Sequence, residues 1–292
     1  MILPNLILPI RANQYWEESG IDTLEKCHNK QRFLQYPDKI EYRYNSRGFR
    51  DAEWPNNLQS AIWCIGDSFT AGIGTTYEHT WPQKLSTITG CRIVNVSMDG
   101  ASNNWIARRV LEISRHINPE NIVVMWSYVE RREKSIKEIA NKILQKFYND
   151  IKDSNWPTCP DINEFNTLPI KIRQELASDH LISPHMRISS DLGSIEIVNL
   201  DELRIVQVVE NNSVHLDNFK NCINLLKDVK SNLIYSFIPD FAKKNHQLEY
   251  VDACYHNQII PLFDKLDLGR DGHHFDRMTS QWVAEQAAPL LK

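Results

Sequence analysis

The sequence lacks the cysteine and histidine patterns that hold metal ions or form disulfide frameworks. Its six cysteines are scattered over 292 residues with no Cys-x-x-Cys pair, and Cys64 and Cys91 lie in apolar, strand-like segments. His180, His185 and His215 show no ligand spacing either. Widely spaced thiols in apolar segments are typical of reduced core residues. We therefore expect no metal site and a reducing compartment.

Other absences exclude whole classes of function. There is no Gly-x-Gly-x-x-Gly or P-loop segment, so we expect no nucleotide cofactor. The net charge is -4, and the most basic segment, around Arg131 and Arg132, alternates with glutamates as a solvated helix face does. No apolar run approaches the roughly 18 residues of a membrane span. We therefore expect no cofactor, no nucleic-acid partner and no membrane partner.

The first ten residues are apolar, which raises the question of export. They lack the basic N-terminal region and the small-residue cleavage site of a secretory signal peptide, and Pro4 and Pro9 interrupt them. We therefore expect a cytoplasmic protein in which residues 1–55 form an arm that packs on the core. Contact with a protein partner, or with a second copy of the chain, through this arm stays an alternative.

Residues 56–292 are interpreted as one domain with an insertion at about 150–215. The apolar share of 42% and the charged share of 24% are typical of a globular chain. The arm ends in turn chemistry at Asn45–Arg50, which contains a glycine. The insertion contains several prolines and a β-rich run at 195–209, which predicts some helix and a hairpin.

Short apolar runs alternate with helical periodicity through the rest of the chain. This alternation predicts an α/β fold with a parallel sheet of about five strands, covered by helices on both faces. The predicted strands cover residues 60–65, 91–96, 122–126, 232–238 and 259–263, and the predicted helices cover 81–89, 103–116, 134–148, 216–229 and 279–291.

Small and polar residues directly follow three of the predicted strands. These segments are Gly66–Thr70, Asp99–Asn103 and Ser127–Glu130. Ligands of parallel α/β sheets bind beyond the carboxyl ends of the strands. We therefore expect a functional site where the three segments meet.

The sharpest local signal is Gly66-Asp67-Ser68, which continues as Phe-Thr-Ala-Gly. A serine on a tight turn after a strand presents its hydroxyl at the edge of the sheet. Backbone N–H groups at such a turn can face a developing oxyanion. The pattern therefore favours Ser68 as a nucleophile, and the alternative is a glycine turn in which Ser68 only caps the next helix.

A second signal, Asp271-Gly272-His273-His274, lies near the end of the sequence. A serine hydroxyl needs a base to remove its proton, and a histidine held by a carboxylate supplies one. The spacing favours Asp271 with His274, and leaves His273 as a neighbour or a substrate contact. The alternative is a polar loop that caps the last helix.

Together, these blocks resemble the SGNH/GDSL hydrolase superfamily, over roughly residues 60–130 and 230–292. The resemblance implies a flavodoxin-like three-layer α/β/α sandwich and a cofactor-free esterase, lipase, thioesterase or carbohydrate deacetylase. It implies Ser68 as nucleophile, with Asp271 and His274 as its partners. It also implies an oxyanion hole formed by the N–H groups of Ser68 and Gly100. The amino-acid sequences of three segments are also similar to those of phage-encoded members. These segments are Ser68–Gly72, Gly100–Ile106 and Asp271–Asp276.

One block departs from the family pattern. The family has Gly-x-Asn-Asp after the third strand, where the asparagine side chain donates to the oxyanion, whereas this chain has Trp126-Ser127-Tyr128-Val129-Glu130. We expect Asn103 to replace the missing donor, with Asn104 and Ser127 as further candidates. The alternative for Asn103 is that it only caps the helix that begins there.

We therefore expect a serine esterase or deacylase that hydrolyses a small ester through an acyl-Ser68 intermediate, for example an O-acetyl group on a glycan. The alternative is a weakly active or non-catalytic interaction module on the same scaffold, such as a component of a phage particle. Residues beside the strand ends are expected to contact the substrate. The alternative for the aromatic residues among them is that they pack in the hydrophobic core. The expected substrate contacts are Asp67, Trp126, Ser127 and His273.

Overall fold

The fold is taken from a computed structural model of the protein. The structure describes residues 6–8, 11–18, 23, 25, 31, 34, 38–132, 187–190, 193–199, 202–208, 212–254 and 256–292. The predicted helix at 134–148 and most of the predicted insertion lie outside these residues. None of the helices in the described ranges combines the length and the apolar composition that a membrane span needs.

A five-stranded parallel sheet forms the centre of the fold. Every neighbouring pair in it is parallel, and the strands in spatial order are β10 (Gln258–Ile259), β9 (Asn232–Phe237), β5 (Asn121–Trp126), β3 (Ile62–Gly66) and β4 (Ile93–Ser97). Counted along the chain, this is the 2-1-3-4-5 order of flavodoxin-like sheets, in which the strand order reverses between the first and third strands.

Helices cover both faces of this sheet. The chain leaves β3 for β4 on one side and then crosses back over β3 to reach β5, so right-handed crossovers place the two connecting helices on opposite faces. The connecting helices are α2 (Trp81–Thr89) and α3 (Asn103–His116), and the short α1 (Ser68–Ala71) precedes them. Later in the chain come α4 (Asn212–Leu225), α5 (Gln247–Asp252) and α6 (Arg277–Ala287), which packs on α2.

The predicted α/β fold class is confirmed, with small differences at the ends of elements. The predicted bounds of α2 and α3 coincide with the observed ones. Two tryptophans, Trp63 on β3 and Trp126 on β5, are fully buried in the core. The last strand is only two residues long, and the last helix gives way to a 3-10 turn at Ala288–Leu290 because Pro289 follows.

Residues of the predicted arm pair and pack within the same compact unit. Strands β1 (Tyr15–Glu17) and β2 (Glu41–Arg43) form an antiparallel ladder. The predicted turn after it is held by Asn45, whose side-chain oxygen accepts the N–H groups of Arg47 at 3.0 Å and of Phe49 at 3.1 Å. The ladder and turn therefore give the described part of the arm a fixed structure.

Arg50, the last residue of this turn, lies fully buried against the segment that follows α1. Its guanidinium donates to the backbone carbonyls of Ala71 at 3.1 Å, Glu41 at 2.8 Å and Thr75 at 2.9 Å, and also to that of Gly72. These carbonyls come from the end of α1, from the segment that follows it and from the arm itself. One buried cation thereby joins the arm to the turn that carries Ser68.

A second compact unit covers residues 129–218. Its described strands are β6 (Arg187–Ser190), β7 (Gly193–Asn199) and β8 (Glu202–Val208). They form an antiparallel sheet in the order β6-β7-β8, with a register irregularity between Ser194 and Ile195. The β-rich run at 195–209 therefore contributes to a three-stranded meander.

Candidate active site

Ser68 lies at the carboxyl end of β3, beside the point where the strand order reverses. It is the first residue of α1 and is 2% exposed. The preceding residue, Asp67, caps this helix, because its Oδ1 accepts the N–H of Phe69 at 3.0 Å. The tight turn and its cap present the serine hydroxyl at the edge of the sheet, as the sequence predicted.

His274 lies within hydrogen-bond reach of Ser68. Its Nε2 is 2.7 Å from the Ser68 Oγ, although the two residues are 206 positions apart in the sequence. Its Nδ1 hydrogen-bonds Asp271 Oδ2. Because Asp271 can only accept when ionised, it fixes the tautomer with the proton on Nδ1, and Nε2 is left to accept from the serine.

Asp271 is held in place by its own loop. Its Oδ1 accepts the backbone N–H groups of His273 and His274, both at 3.1 Å. Burial disfavours the charged carboxylate, but the hydrogen bonds and charge of His274 outweigh it, so the pKa of Asp271 lies below its usual range. The carboxylate is therefore ionised at neutral pH and oriented towards the imidazole.

Gly74 allows the loop after α1 to approach Asp271 closely. It has a φ of 79°, and a Cβ added there would lie 2.8 Å from Asp271 Oδ1. The Gly74 carbonyl accepts the Arg270 N–H at 3.0 Å, and the buried Arg270 guanidinium pairs with Glu18 at 2.5 Å. The arm and the nucleophile loop thus both hold the segment that carries Asp271.

The two adjacent histidines occupy different surroundings. The rings of His273 and His274 are nearly perpendicular, with centroids 5.0 Å apart. His273 is exposed, and its Nε2 is 3.4 Å from the Tyr128 hydroxyl. Of the two imidazoles, His274 is the one that the structure brings to Ser68. His273 lies at the mouth of the site, where its predicted contact with a substrate stays a prediction.

Two backbone N–H groups stay candidates for the oxyanion hole. The first N–H groups of a helix have no partner within that helix, and the Ser68 N–H begins α1 beside its own Oγ. Gly100 follows β4 in a turn with a φ of 71°. Since Ser97 lies opposite Gly66 in the parallel ladder, this turn lies at the same sheet edge as Ser68. Both oxyanion roles remain predictions.

The prediction that the Asn103 side chain faces the oxyanion is wrong. Asn103 is 0% exposed. Its Nδ2 donates to the carbonyls of Ser127 at 3.3 Å and Tyr128 at 3.1 Å, and its Oδ1 accepts the Ser127 N–H at 2.9 Å. The amide therefore has no hydrogen left for a substrate. It instead fixes the backbone after β5, where the family has its asparagine.

Three of the four predicted substrate contacts are buried behind the site. Asp67, Trp126 and Ser127 are all 0% exposed, so the prediction that they touch the substrate is wrong. The Ser127 hydroxyl donates to Asp67 Oδ2 at 2.5 Å, which ties the end of β5 to the cap of α1. Trp126 packs edge-on against Tyr235 with ring centroids 5.4 Å apart. These side chains support the site from behind.

Lys265 lies beside the site, and the sequence did not reveal it. Its ammonium donates to the His273 carbonyl at 2.6 Å and lies 5.4 Å from the centre of the Phe69 ring. Burial lowers the pKa of Lys265, and the charges of Asp240 and Asp271 oppose that shift. A single lysine in an irregular segment carries no spacing that could mark it.

No group of three or more histidine, cysteine or acidic side chains within the described ranges has the arrangement of a metal site. The acidic residues nearest the serine already have partners. Asp67 accepts from Phe69 and Ser127, and Asp271 accepts from His273 and His274. What these described residues can do chemically is transfer a proton from a serine hydroxyl to an imidazole.

The chain is similar to solved hydrolases of the G-D-S-L and SGNH kind. The psychrotrophic esterase EstA from Pseudoalteromonas sp. matches at 10% identity and a TM-score of 0.40, over 79% of this chain and 95% of that chain. The lipase/acylhydrolase from Enterococcus faecalis matches at 9% identity and a TM-score of 0.40, over 78% and 94%. AlinE4, an SGNH-hydrolase family esterase, matches at 14% identity and a TM-score of 0.35, over 72% and 79%.

No protein-family model matches the chain, and no curated protein matches it by sequence. Structural likeness at 9–14% identity and TM-scores of 0.35–0.40 says nothing about a reaction or a substrate. Any function therefore has to be argued from the geometry of Ser68, His274 and Asp271.

Proposed function

We propose that the protein is a serine ester hydrolase of the SGNH kind that forms an acyl-Ser68 intermediate. The observation that carries the proposal is the continuous hydrogen-bonded chain from Ser68 Oγ through His274 to Asp271. Serine becomes a nucleophile when a base accepts its proton, and a buried carboxylate stabilises the imidazolium that results. All three groups needed for that chemistry are in contact at one sheet edge.

The proposed reaction begins when Ser68 Oγ attacks the ester carbonyl carbon and its proton passes to His274 Nε2. The negative charge on the carbonyl oxygen is then met by the N–H groups of Ser68 and Gly100. The tetrahedral species collapses, the bond to the alcohol oxygen breaks, and His274 returns the proton to the leaving alcohol. A water molecule, with His274 as base, then releases the acid and restores Ser68.

The substrate proposed is a small ester such as an O-acetyl group, attached to a sugar or another alcohol. Support comes from the close surroundings of Ser68, which is 2% exposed and is followed by Phe69, whose ring packs edge-on against Tyr128. The Asn103 side chain cannot donate a hydrogen bond to the oxyanion, because its amide already donates to two backbone carbonyls. Removing one oxyanion donor typically lowers turnover by about 10²–10³, so we expect modest rates.

The test is hydrolysis of para-nitrophenyl acetate, followed as released nitrophenolate, together with labelling by a fluorophosphonate. Wild-type protein should turn over the ester and take up one label, and Ser68→Ala should do neither. Ser60→Ala is the matched control, because Ser60 is exposed and precedes β3 at the opposite end of that strand. Turnover or labelling that persists in Ser68→Ala contradicts the proposal. A wild-type protein inert in both assays favours the alternative of a non-catalytic interaction module.

A further inference from the structure

The ammonium of Lys265 lies close to the reacting groups of the proposed hydrolysis. It is half-buried, and one of its three N–H bonds is directed to the His273 carbonyl. Within the ranges that the structure describes, no carboxylate oxygen forms an ion pair with it. No described residue accepts a hydrogen bond from the remaining N–H donors, which leaves them for a bound molecule.

Two distances limit how far this ammonium can lie from the His274 imidazole. Lys265 Nζ is 5.4 Å from the centre of the Phe69 ring, and that centre is 4.6 Å from the centre of the His274 ring. The ammonium therefore lies no farther from the His274 ring than the sum of the two, 10.0 Å. The ammonium also binds the carbonyl of His273, the residue directly before His274, so we expect a substrate held at Ser68 to reach it.

The surroundings leave the positive charge only partly compensated. Removing a cation from water without pairing it costs free energy, and burial accordingly lowers the pKa of Lys265. Of the two carboxylates whose charge acts on it, Asp271 is already bound to His274 and Asp240 is exposed to solvent, which screens its charge. A carboxylate brought by a substrate would supply the missing partner.

The exposed His273 and the partly buried Tyr128 are also suited to an acidic ligand. His273 and Tyr128 lie at the mouth of the site, with the hydroxyl 3.4 Å from the imidazole Nε2. Neither brings a negative charge at neutral pH. The two exposed or partly exposed side chains next to Ser68 thus add no carboxylate to the surroundings of the ammonium.

We propose that Lys265 makes the site selective for esters that carry a carboxylate near the scissile bond. The acidic group belongs either to the acyl part, as in a succinyl ester, or to the alcohol part, as in the acetyl ester of a hydroxy acid or uronic acid. This inference rests on the proposed ester hydrolysis and specifies its substrate class. Lys265 acts in binding, and the bond chemistry stays with Ser68 and His274.

The experiment compares acidic and neutral esters of matched shape. Para-acetoxybenzoate against its methyl ester tests a charge in the leaving group, and para-nitrophenyl hydrogen succinate against para-nitrophenyl butyrate tests a charge in the acyl group. The ratio of kcat/KM for the acidic and the neutral ester is measured in wild type, Lys265→Gln, Lys265→Arg and Lys227→Gln. Lys227 is an exposed lysine in the loop before β9, at the amino ends of the strands and so away from the site.

In at least one pair, we expect Lys265→Gln to lower the acidic-to-neutral ratio about tenfold, because a charge-assisted hydrogen bond is lost. Lys265→Arg should keep the ratio within about threefold of the wild-type value. It retains the positive charge, and the small change is expected because the charge moves. Lys227→Gln should leave the ratio unchanged, and added salt should lower it in wild type.

A ratio that Lys265→Gln leaves unchanged in both pairs overturns the inference, and so does an equal drop in Lys227→Gln. In both of these outcomes, hydrolysis of the neutral esters that depends on Ser68 shows that the proposed function still stands. If no ester of either pair is hydrolysed in a Ser68-dependent way, the proposed function fails and this inference fails with it.

Discussion

Asp276 is a buried carboxylate whose ionisation should make the folded protein less stable as pH rises. It is 2% exposed, lies two residues after His274, and accepts a hydrogen bond from the Thr75 hydroxyl. Burial raises its pKa to about 6, although the Thr75 bond favours the charged form. In an unfolded chain the pKa of an aspartate is about 3.9.

The sign of the effect follows from proton uptake. Below about pH 4 both states hold the proton, whereas between about pH 4 and pH 6 the unfolded chain releases it and the folded protein retains it. Stability therefore falls as pH rises through this window. A difference of about two units, at 1.36 kcal/mol per unit, corresponds to about 3 kcal/mol of lost stability above pH 6.

The perturbation is Asp276→Asn, which keeps an oxygen for Thr75 and removes the charge. Between pH 4 and pH 7, the stability of the variant relative to wild type should rise by up to about 3 kcal/mol. Urea unfolding at several pH values, followed by tryptophan fluorescence, measures this directly. Asp264→Asn, an exposed carboxylate of the same loop, is the control and should stay within about 0.5 kcal/mol. A relative stability of Asp276→Asn that is constant or falling over this range would refute the reasoning.

Three further predictions concern the site itself. Asp271→Asn should lower kcat for para-nitrophenyl acetate by about 10⁴, because an amide favours the wrong tautomer of His274, and a kcat near that of wild type would contradict the proposed triad. Gly74→Ala should lower the free energy of unfolding by about 1–3 kcal/mol, because it strains a residue at a φ of 79° and crowds Asp271; urea unfolding at wild-type stability would refute this. Asn103→Asp should cost about 2–4 kcal/mol in the same assay, because a buried carboxylate then faces backbone carbonyls. Asn104→Asp, on the same helix but not fully buried, is its matched control and should cost much less.

The regular elements were predictable because local signals and burial agree in them. Helix α3 begins where Ser102 caps it, with the serine oxygen accepting the Trp105 N–H at 3.1 Å, and it ends before Asn118, whose positive φ of 51° breaks the helical path. The strands were predictable from short, fully buried apolar runs such as β5. Two-residue β10 was the hardest strand to place, because so short a ladder leaves almost no pattern in the sequence.

The site was predictable only where chemistry demands a particular residue type at a particular spacing. Ser68 and His274 could be paired in advance because a nucleophile needs a base, and the structure places them 2.7 Å apart. The environment of a side chain gives no such signal. Asn103 and Ser127 are both polar and both follow strands, yet the fold buries them, so their hydrogen bonds go to the protein.

The buried Arg50 has a practical consequence for anyone who trims this protein. A shortened version could start at residue 56, where the predicted α/β domain begins. It would lack the Arg50 guanidinium, which binds the carbonyls of Ala71, Gly72 and Thr75. Those carbonyls would lose their donor just behind the nucleophile, so the shortened protein should express poorly or lack a formed site. The smallest useful version must therefore include Arg50, and deletion mapping of active fragments should stop before that residue.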